Sequence, residues 1–129
     1  MKIGALVLAA GVALPALSAS AQSVTLAGDE LRQAISGKTV YLKISGFELP
    51  IVYSVNGRMK GTMGTVATSF SRGDGASDRG KWWVENDQLC QKWKSWMDGQ
   101  SYCYKLTLDG SKVTWVRNDG HSGIARIGG

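Results

Sequence analysis

Cys90 and Cys103 are the residues of this 129-residue sequence whose chemistry is most readily assigned. In an oxidising compartment an isolated pair of cysteines most simply forms a disulfide. A metal site built on two cysteines would need His or acidic partners, and the sequence contains one histidine. We therefore expect a Cys90–Cys103 disulfide, which would close a short loop and contribute roughly 3 kcal/mol to stability in the chain-entropy model.

No pattern in the sequence indicates a catalytic set, a metal or a cofactor. His121 is the only histidine, and no motif places Ser122 or another serine beside it with an orienting acid, so we predict a surface histidine. Phosphate-loop, dinucleotide, zinc and haem-attachment motifs do not occur. The tripeptide Arg72-Gly73-Asp74 spells an adhesion motif, but in a glycine-rich segment of a basic protein we attribute it to chance.

Most acidic residues fall in or beside predicted turns, where aspartate favours turn formation. Those considered as candidate acids or bases are Asp74, Asp78, Glu85, Asp87, Asp98, Asp109 and Asp119. Asp74 and Asp78 could share a calcium ion, but their spacing is not that of an EF-hand loop. An enzyme that acts on an envelope glycan or lipid through loop carboxylates is therefore the alternative hypothesis, and a noncatalytic module is the leading one.

Tryptophan is unusually frequent, with five residues in the chain. Each tryptophan buries a large area and carries one N–H group that needs a partner, so we expect core anchoring to explain most of them. A ligand or partner surface is the other use of exposed aromatic residues. The residues that we consider for ligand binding are Trp82, Trp83, Trp93, Trp115, Tyr102, Tyr104 and Gln91.

The formal net charge of +5 gives a modest preference for anionic surfaces. Lys92, Lys94 and Lys105 fall on one predicted strand face with Trp96 nearby, and they are our candidate site for an anion such as a polysaccharide or a lipid headgroup. A solvated strand face explains the same pattern and is the interpretation that we favour. An exported protein meets little nucleic acid, so we expect no nucleic-acid partner.

Residues 1–21 have the organisation of a signal peptide. A lysine follows the first methionine, residues 3–17 form an apolar run, and Ala19-Ser20-Ala21 is a small-residue cleavage signal. The apolar run is shorter than the ~20 residues that a membrane span needs. We therefore expect cleavage after Ala21, a periplasmic or secreted protein without a transmembrane segment after cleavage, and one β domain over residues 22–129.

Residues 25–36 predict one short helix at the start of this domain. Leu31, Ala34 and Ile35 form an apolar stripe at helical spacing, and Gly37 is a plausible stop. We expect the helix to cover one end or edge of a sheet.

From residue 39 onward the apolar pattern changes to period two. Seven or eight short strands follow, separated by turn signals such as Asn56-Gly57, and Pro50 is expected to interrupt the first of these runs. Such an antiparallel meander typically closes into an up-and-down barrel, and a β-sandwich is the alternative. We predict a mainly β fold, a small barrel with the helix packed on it.

The two cysteines also predict a strand register. If they lie directly opposite each other, Leu89 pairs with Tyr104, Gln91 pairs with Tyr102, and a four-residue connection remains at residues 95–98. Period two then places Leu89 and Gln91 on the core side, and the cysteines on a second face that meets water. A buried glutamine needs a hydrogen-bond partner, and we expect a neighbouring tyrosine hydroxyl to provide it, with a ligand as the alternative.

The segments 80–84 (GKWWV), 89–93 (LCQKW) and 103–104 (CY) resemble small secreted domains of unknown function from alphaproteobacteria. Residues 31–40 (LRQAISGKTV) resemble the start of those domains. The resemblance covers most of the mature chain. It implies an exported location and paired cysteines, and it implies no activity.

Together these observations predict a noncatalytic binding or interaction module of the cell envelope. Its ligand would be a small apolar or aromatic molecule if the barrel contains a cavity. It would be a component of the cell envelope if the aromatic residues are exposed.

Overall fold

The computed structural model describes residues 23–63 and 77–128. The predicted signal peptide and the tripeptide at 72–74 lie outside these ranges. Within the described residues there are one helix, α1 (Gly28–Ile35), and nine strands. The strands are β1 (Val24–Thr25), β2 (Lys38–Ile44), β3 (Phe47–Tyr53), β4 (Arg58–Thr62), β5 (Ser77–Glu85), β6 (Gln88–Trp93), β7 (Ser101–Asp109), β8 (Lys112–Arg117) and β9 (Ser122–Gly128).

Strands β2 to β9 form a closed antiparallel barrel, which confirms the barrel prediction over the sandwich. Each strand pairs with the next along the chain, and β9 pairs back with β2 through Val40 and Ile127. The barrel therefore leaves no open edge between its first and last strands. Strand β1 pairs with the end of β7, where Val24 stands opposite Leu108. This part of β7 lies past Tyr104, the last β7 residue that pairs with β6.

One face of every barrel strand points inward, and the registers keep that face continuous around the barrel. Val40 stands opposite Ile51, and Ile51 stands opposite Gly61 on the next strand. The same alternation continues through Leu106 and Trp115. The buried inward side chains are those of Val40, Leu49, Ile51, Tyr53, Met59, Trp82, Leu89, Trp93, Leu106, Val113 and Ala125.

Helix α1 covers one end of the barrel, in agreement with the sequence pattern. Asp29 and Glu30 lie in its first turn, where negative charge suits the helix dipole. Leu31 and Ile35 are fully buried, and Ile35 lines the barrel interior. The backbone N–H of Gly28 donates to the Asp87 carboxylate at 3.0 Å, which ties the start of the helix to the β5–β6 turn.

Pro50 does not interrupt a strand, contrary to the sequence prediction. It lies in the middle of β3, opposite Tyr41 of β2. The ladder between β3 and β4 begins only at Ile51, so Pro50 lies beyond its end and its missing N–H costs no bond of that ladder. The turn that separates β2 from β3 is Ser45-Gly46, where both residues have positive φ angles.

The register predicted from the cysteines is confirmed. Cys90 pairs with Cys103, and Gln91 pairs with Tyr102. The sulfurs form a disulfide between Cα atoms 3.9 Å apart. The ladder ends at Lys92 and Ser101, two pairs before the predicted four-residue connection, and a short 3₁₀ segment (Trp96–Gly99) makes the turn instead.

Candidate functional site

Two of the candidate aromatic residues, both tryptophans, are structural parts of the barrel core. The indole of Trp82 packs edge-on against Tyr53, and its Nε1 donates to the Ser54 carbonyl at 2.8 Å. Trp93 packs on Trp96 with ring centroids 4.8 Å apart. Both rings of that pair occupy the space that a Cβ at Gly61 would need, since that atom would lie 2.6 Å from Trp96 and 2.8 Å from Trp93.

Trp115 belongs to the same interior, packed over a glycine of the neighbouring strand. Its six-membered ring lies where a Cβ of Gly123 would be, and it makes a T-shaped contact with the Tyr104 ring at a centroid distance of 5.4 Å. The indole Nε1 is buried and has no hydrogen-bond partner among the described residues. An unpaired buried N–H carries a desolvation cost, so Trp115 serves packing at the expense of one polar group.

Gln91 has the tyrosine partner that the sequence predicts. Its Oε1 accepts a 2.7 Å hydrogen bond from the Tyr53 hydroxyl in the buried interior. Burial raises the pKa of the Tyr53 hydroxyl far above its ordinary value, with a smaller contribution from Tyr104, so the phenol stays protonated and remains a donor. The partner comes from β3 rather than from the tyrosines of the adjacent strand.

Tyr102 and Tyr104 lie near the end of the barrel opposite the helix, beside an arginine. The Arg117 guanidinium lies over the Tyr102 ring, 4.4 Å from its centroid. It also makes two hydrogen bonds of 2.8 Å to the Asp119 carboxylate. The bonds from Arg117 hold the pKa of Asp119 well below its ordinary value, so the pair stays charged. His121 lies beside it on the surface, in agreement with the sequence prediction.

The barrel interior contains a cavity of about 120 Å³ that is lined in part by Gln91, Tyr104 and Trp115. Ligand pockets for ordinary small molecules measure ~300–1,000 Å³, and an apolar cavity that admits benzene measures roughly 150 Å³. The cavity is therefore smaller than such pockets, and Trp115 is the tryptophan that lines it. The interior favours packing over binding as the use of Gln91, Trp82, Trp93, Trp115 and Tyr104.

The side chain of Trp83 lies on the outer face of the barrel, apart from the candidate aromatic residues of the interior. Cys90 stands between Trp83 on β5 and Cys103 on β7. Cys90 is fully buried, which corrects the expectation that the face carrying the disulfide meets water throughout. The indole Nε1 of Trp83 donates to Glu85 at 2.9 Å, and the ring is half-buried.

The outer face of β4, β5 and β6 carries six exposed cationic side chains, which we call the basic face. Five of them lie in two rows across the strands, because each strand places alternate residues on the same face. Lys94 follows the last residue of β6, and its backbone N–H donates to the Arg79 carbonyl at 2.8 Å, which extends the second row. An open cleft of about 750 Å³ lies among them. The basic face consists of Arg58, Lys60, Arg79, Lys81, Lys92 and Lys94.

The sequence identified two members of this site and missed four. Lys92 and Lys94 are on the basic face, whereas Lys105 lies on β7, on the far side of the disulfide from Lys92. The missed residues are Arg58, Lys60, Arg79 and Lys81. The signal that could have found them is three basic pairs at spacing two, RMK at 58–60, RGK at 79–81 and KWK at 92–94, in three successive strands.

The basic face concentrates the positive charge of the whole chain. The other nine Lys and Arg residues are outnumbered by the ten Asp and Glu residues. In the described part of the chain, no member of the basic face forms an ion pair with a carboxylate. Lys92 donates to the Gly99 carbonyl at 2.6 Å, which fixes one corner of the cleft.

Asp78 lies on the inner side of β5, directly behind this face. Its carboxylate accepts hydrogen bonds of 2.8 Å from the backbone N–H groups of both Ser95 and Trp96. Burial raises its pKa, but these bonds, a third from the Arg79 N–H and the charge of Lys94 outweigh burial and hold the pKa below its ordinary value. Asp78 therefore stays ionised and anchors the β6–β7 connection.

Three more of the candidate carboxylates also have structural partners. Asp87 accepts the N–H of Gly28, Asp119 binds Arg117, and Glu85 accepts from Trp83. Across residues 23–63 and 77–128, no three His, Cys, Asp or Glu side chains are grouped so that they could hold a metal ion. No helix in those ranges is both long and apolar enough to cross a membrane.

Comparisons with models of known protein families, with curated proteins and with solved structures find no match to this chain. The geometry of the basic face is therefore the basis for a functional conclusion.

Proposed function

We propose that this protein is a noncatalytic binding module of the cell envelope that holds an anionic, phosphate- or carboxylate-bearing component on the basic face. One observation carries the proposal. Six exposed cations stand in two rows on three adjacent strands, without a carboxylate partner among the described residues.

The arrangement is unfavourable for the protein alone. In the first row Arg58 stands opposite Lys81, which stands opposite Lys92. In the second row Lys60 stands opposite Arg79. Like charges directly opposite on neighbouring strands destabilise a sheet. A bound polyanion would relieve this repulsion, and the two arginines suit bidentate contacts with phosphate or carboxylate.

The proposal includes export to the periplasm or the exterior. The supporting observations are the leader at 1–21, the Cys90–Cys103 disulfide and the resemblance to small secreted domains. Mass spectrometry of the protein from the source envelope should find a chain that starts at Gln22. An intact leader on the purified protein would contradict this part of the proposal.

The binding step can be tested with polyphosphate as the probe, using isothermal titration calorimetry. The variant replaces Lys60, Arg79 and Lys81 with Gln, three exposed residues with no side-chain bond among the described residues. Exposed ion pairs contribute about 0.5 kcal/mol each, so three losses should weaken binding roughly tenfold. Binding should also weaken as salt concentration rises, because salt screens exposed charges.

A control variant with the same change in net charge separates the site from general electrostatics. Lys43, Lys105 and Lys112 are exposed lysines outside the basic face, and their replacement with Gln should leave polyphosphate binding nearly unchanged. An equal loss in both variants would mean that net charge alone drives binding. Absence of binding by the unmodified protein at low salt would overturn the proposed function.

A further inference from the structure

We infer that the basic face docks on a membrane surface rich in anionic phospholipid headgroups, with Val52, Val55 and Trp83 entering the interface beside the cations. This inference rests on the proposed function and names its partner. It depends on the apolar residues that border the basic face.

Two exposed valines lie along the β3 side of the face. Val52 is 44% exposed and stands directly opposite Lys60 in the β3–β4 register. Val55 is 79% exposed, at the tip of the β3–β4 turn. The residues on both sides of it, Ser54 and Asn56, line the cationic cleft. Val52 therefore adjoins a cation directly, and Val55 lies in the turn that borders the cationic cleft, beside Gly37.

Trp83 borders the face on the side nearest the β5–β6 turn. It follows Lys81 by two residues on the same outward side of β5, next to the row that contains Arg58 and Lys92. Its ring is half-exposed and its Nε1 is bonded to Glu85. Tryptophan with one apolar and one polar side is enriched where proteins meet the membrane–water interface.

A phospholipid surface matches this combination better than a dissolved polyanion does. Dissolved polyphosphates and anionic glycans offer charge but no apolar phase for two valines and an indole ring. A bilayer offers anionic headgroups to the cations and the acyl boundary to the apolar border, and stable surface binding ordinarily needs both contributions. The cations also form a two-dimensional array over three strands, which suits a plane of headgroups rather than one extended chain.

Vesicle co-flotation tests the inference directly. Vesicles of phosphatidylcholine alone are compared with vesicles of phosphatidylcholine and phosphatidylglycerol in equal parts, and the protein should float only with the anionic ones. The variant Val52→Thr/Val55→Thr keeps side-chain shape and should reduce partitioning severalfold, while its affinity for soluble polyphosphate stays unchanged. Val116→Thr/Ile124→Thr is the matched control, because these residues are 44% and 43% exposed elsewhere on the barrel.

Quenching of tryptophan fluorescence by brominated acyl chains gives a second, local readout. Trp83 is the one tryptophan on the outer face of the barrel strands β2 to β9, whereas Trp82 and Trp93 are buried. Brominated anionic vesicles should therefore quench part of the emission of the unmodified protein. Trp83→Phe should remove the quenchable part and preserve the rest.

The outcomes separate this inference from the proposed function. Binding to polyphosphate without flotation on anionic vesicles would overturn the membrane inference and leave the proposed function standing. Failure to bind either probe would overturn both. Equal losses for the Val52/Val55 variant and the Val116/Ile124 variant, or quenching that survives Trp83→Phe, would also overturn the inference.

Discussion

The Tyr53 hydroxyl and the Gln91 Oε1 meet at 2.7 Å inside the barrel, although their strands are not neighbours. The bond joins β3 to β6 across the core and satisfies the carbonyl oxygen of Gln91, the one buried side-chain amide among the described residues. Tyr53→Phe leaves the Gln91 carbonyl buried without this donor, so the free energy of unfolding should fall by about 1–3 kcal/mol. Urea denaturation measures the change.

Two further variants define the origin of this effect. Tyr41→Phe is the matched control, since the Tyr41 ring lies under Arg126 at 4.0 Å and no described residue bonds its hydroxyl. Its cost should stay within about 0.5 kcal/mol. In the double variant Tyr53→Phe/Gln91→Leu, most of the lost stability should return, because neither polar group remains. A double variant as unstable as Tyr53→Phe alone would show that packing, not the hydrogen bond, is lost.

The sequence predicts local features of this barrel well, because local chemistry determines them. Paired cysteines set one register, and period two then places Leu89 and Gln91 on the inner face. The sequence does not predict which tyrosine bonds Gln91, because Tyr53 lies on β3, three strands away from β6 around the barrel. Closure of the barrel is what brings the side chains of these two strands together.

The three basic pairs of the basic face are visible in the sequence, but their alignment across the strands is not, for a related reason. Strands β4 and β5 are joined by a long segment, so no tight turn fixes which of their residues stand opposite each other. The register that sets Lys60 opposite Arg79 appears only in the folded barrel. The burial of Cys90 has a different origin, because the register places Trp83 beside it on β5 and Cys103 on β7.

Gly123 and Trp115 test the packing of the core. A Cβ at Gly123 would overlap the Trp115 ring, which stands directly opposite on β8. Gly123→Ala should therefore destabilise the protein by about 1–3 kcal/mol through overpacking. Thermal denaturation should show a lower Tm than that of the parent.

A second substitution can show whether the indole is responsible. Trp115→Phe removes part of the ring system together with the buried, unpaired Nε1. The added cost of Gly123→Ala should be clearly smaller in the Trp115→Phe background than in the unmodified protein. Equal costs in the two backgrounds would mean that the methyl group collides with something else.

The disulfide should be a major contributor to stability. It links residues separated by 13 positions, for which loop-closure entropy predicts roughly 3 kcal/mol. Cys90→Ala/Cys103→Ala should lose about that amount, and chemical denaturation with and without reductant measures it. Reductant should destabilise the unmodified protein and leave the double variant unaffected. An unmodified protein that is indifferent to complete reduction would contradict the prediction.

Asp78 should give the protein a measurable loss of stability in acid. The folded-state pKa of Asp78 lies below its ordinary value, about 3.9, because backbone N–H bonds outweigh burial. A group whose pKa is lowered by folding adds stability that is fully present above its ordinary pKa and disappears as the pH falls through the folded-state value. Asp78→Asn should therefore cost about 1–3 kcal/mol at neutral pH and progressively less below about pH 4.

Two other carboxylates also contribute to the loss of unfolding free energy in acid. Comparison of the unmodified protein with Asp78→Asn isolates the contribution of Asp78. Hydrogen bonds from Arg117 and from Arg126 lower the pKa values of Asp119 and Glu48. Subtracting the pH profile of Asp78→Asn from that of the unmodified protein removes their contribution, provided that the sites are independent. Asp109→Asn, in a turn where no described residue bonds the carboxylate, is the matched control and should retain the parental profile. If Asp78→Asn and the unmodified protein differ by the same amount at neutral pH and in acid, the carboxylate charge does not anchor the β6–β7 connection.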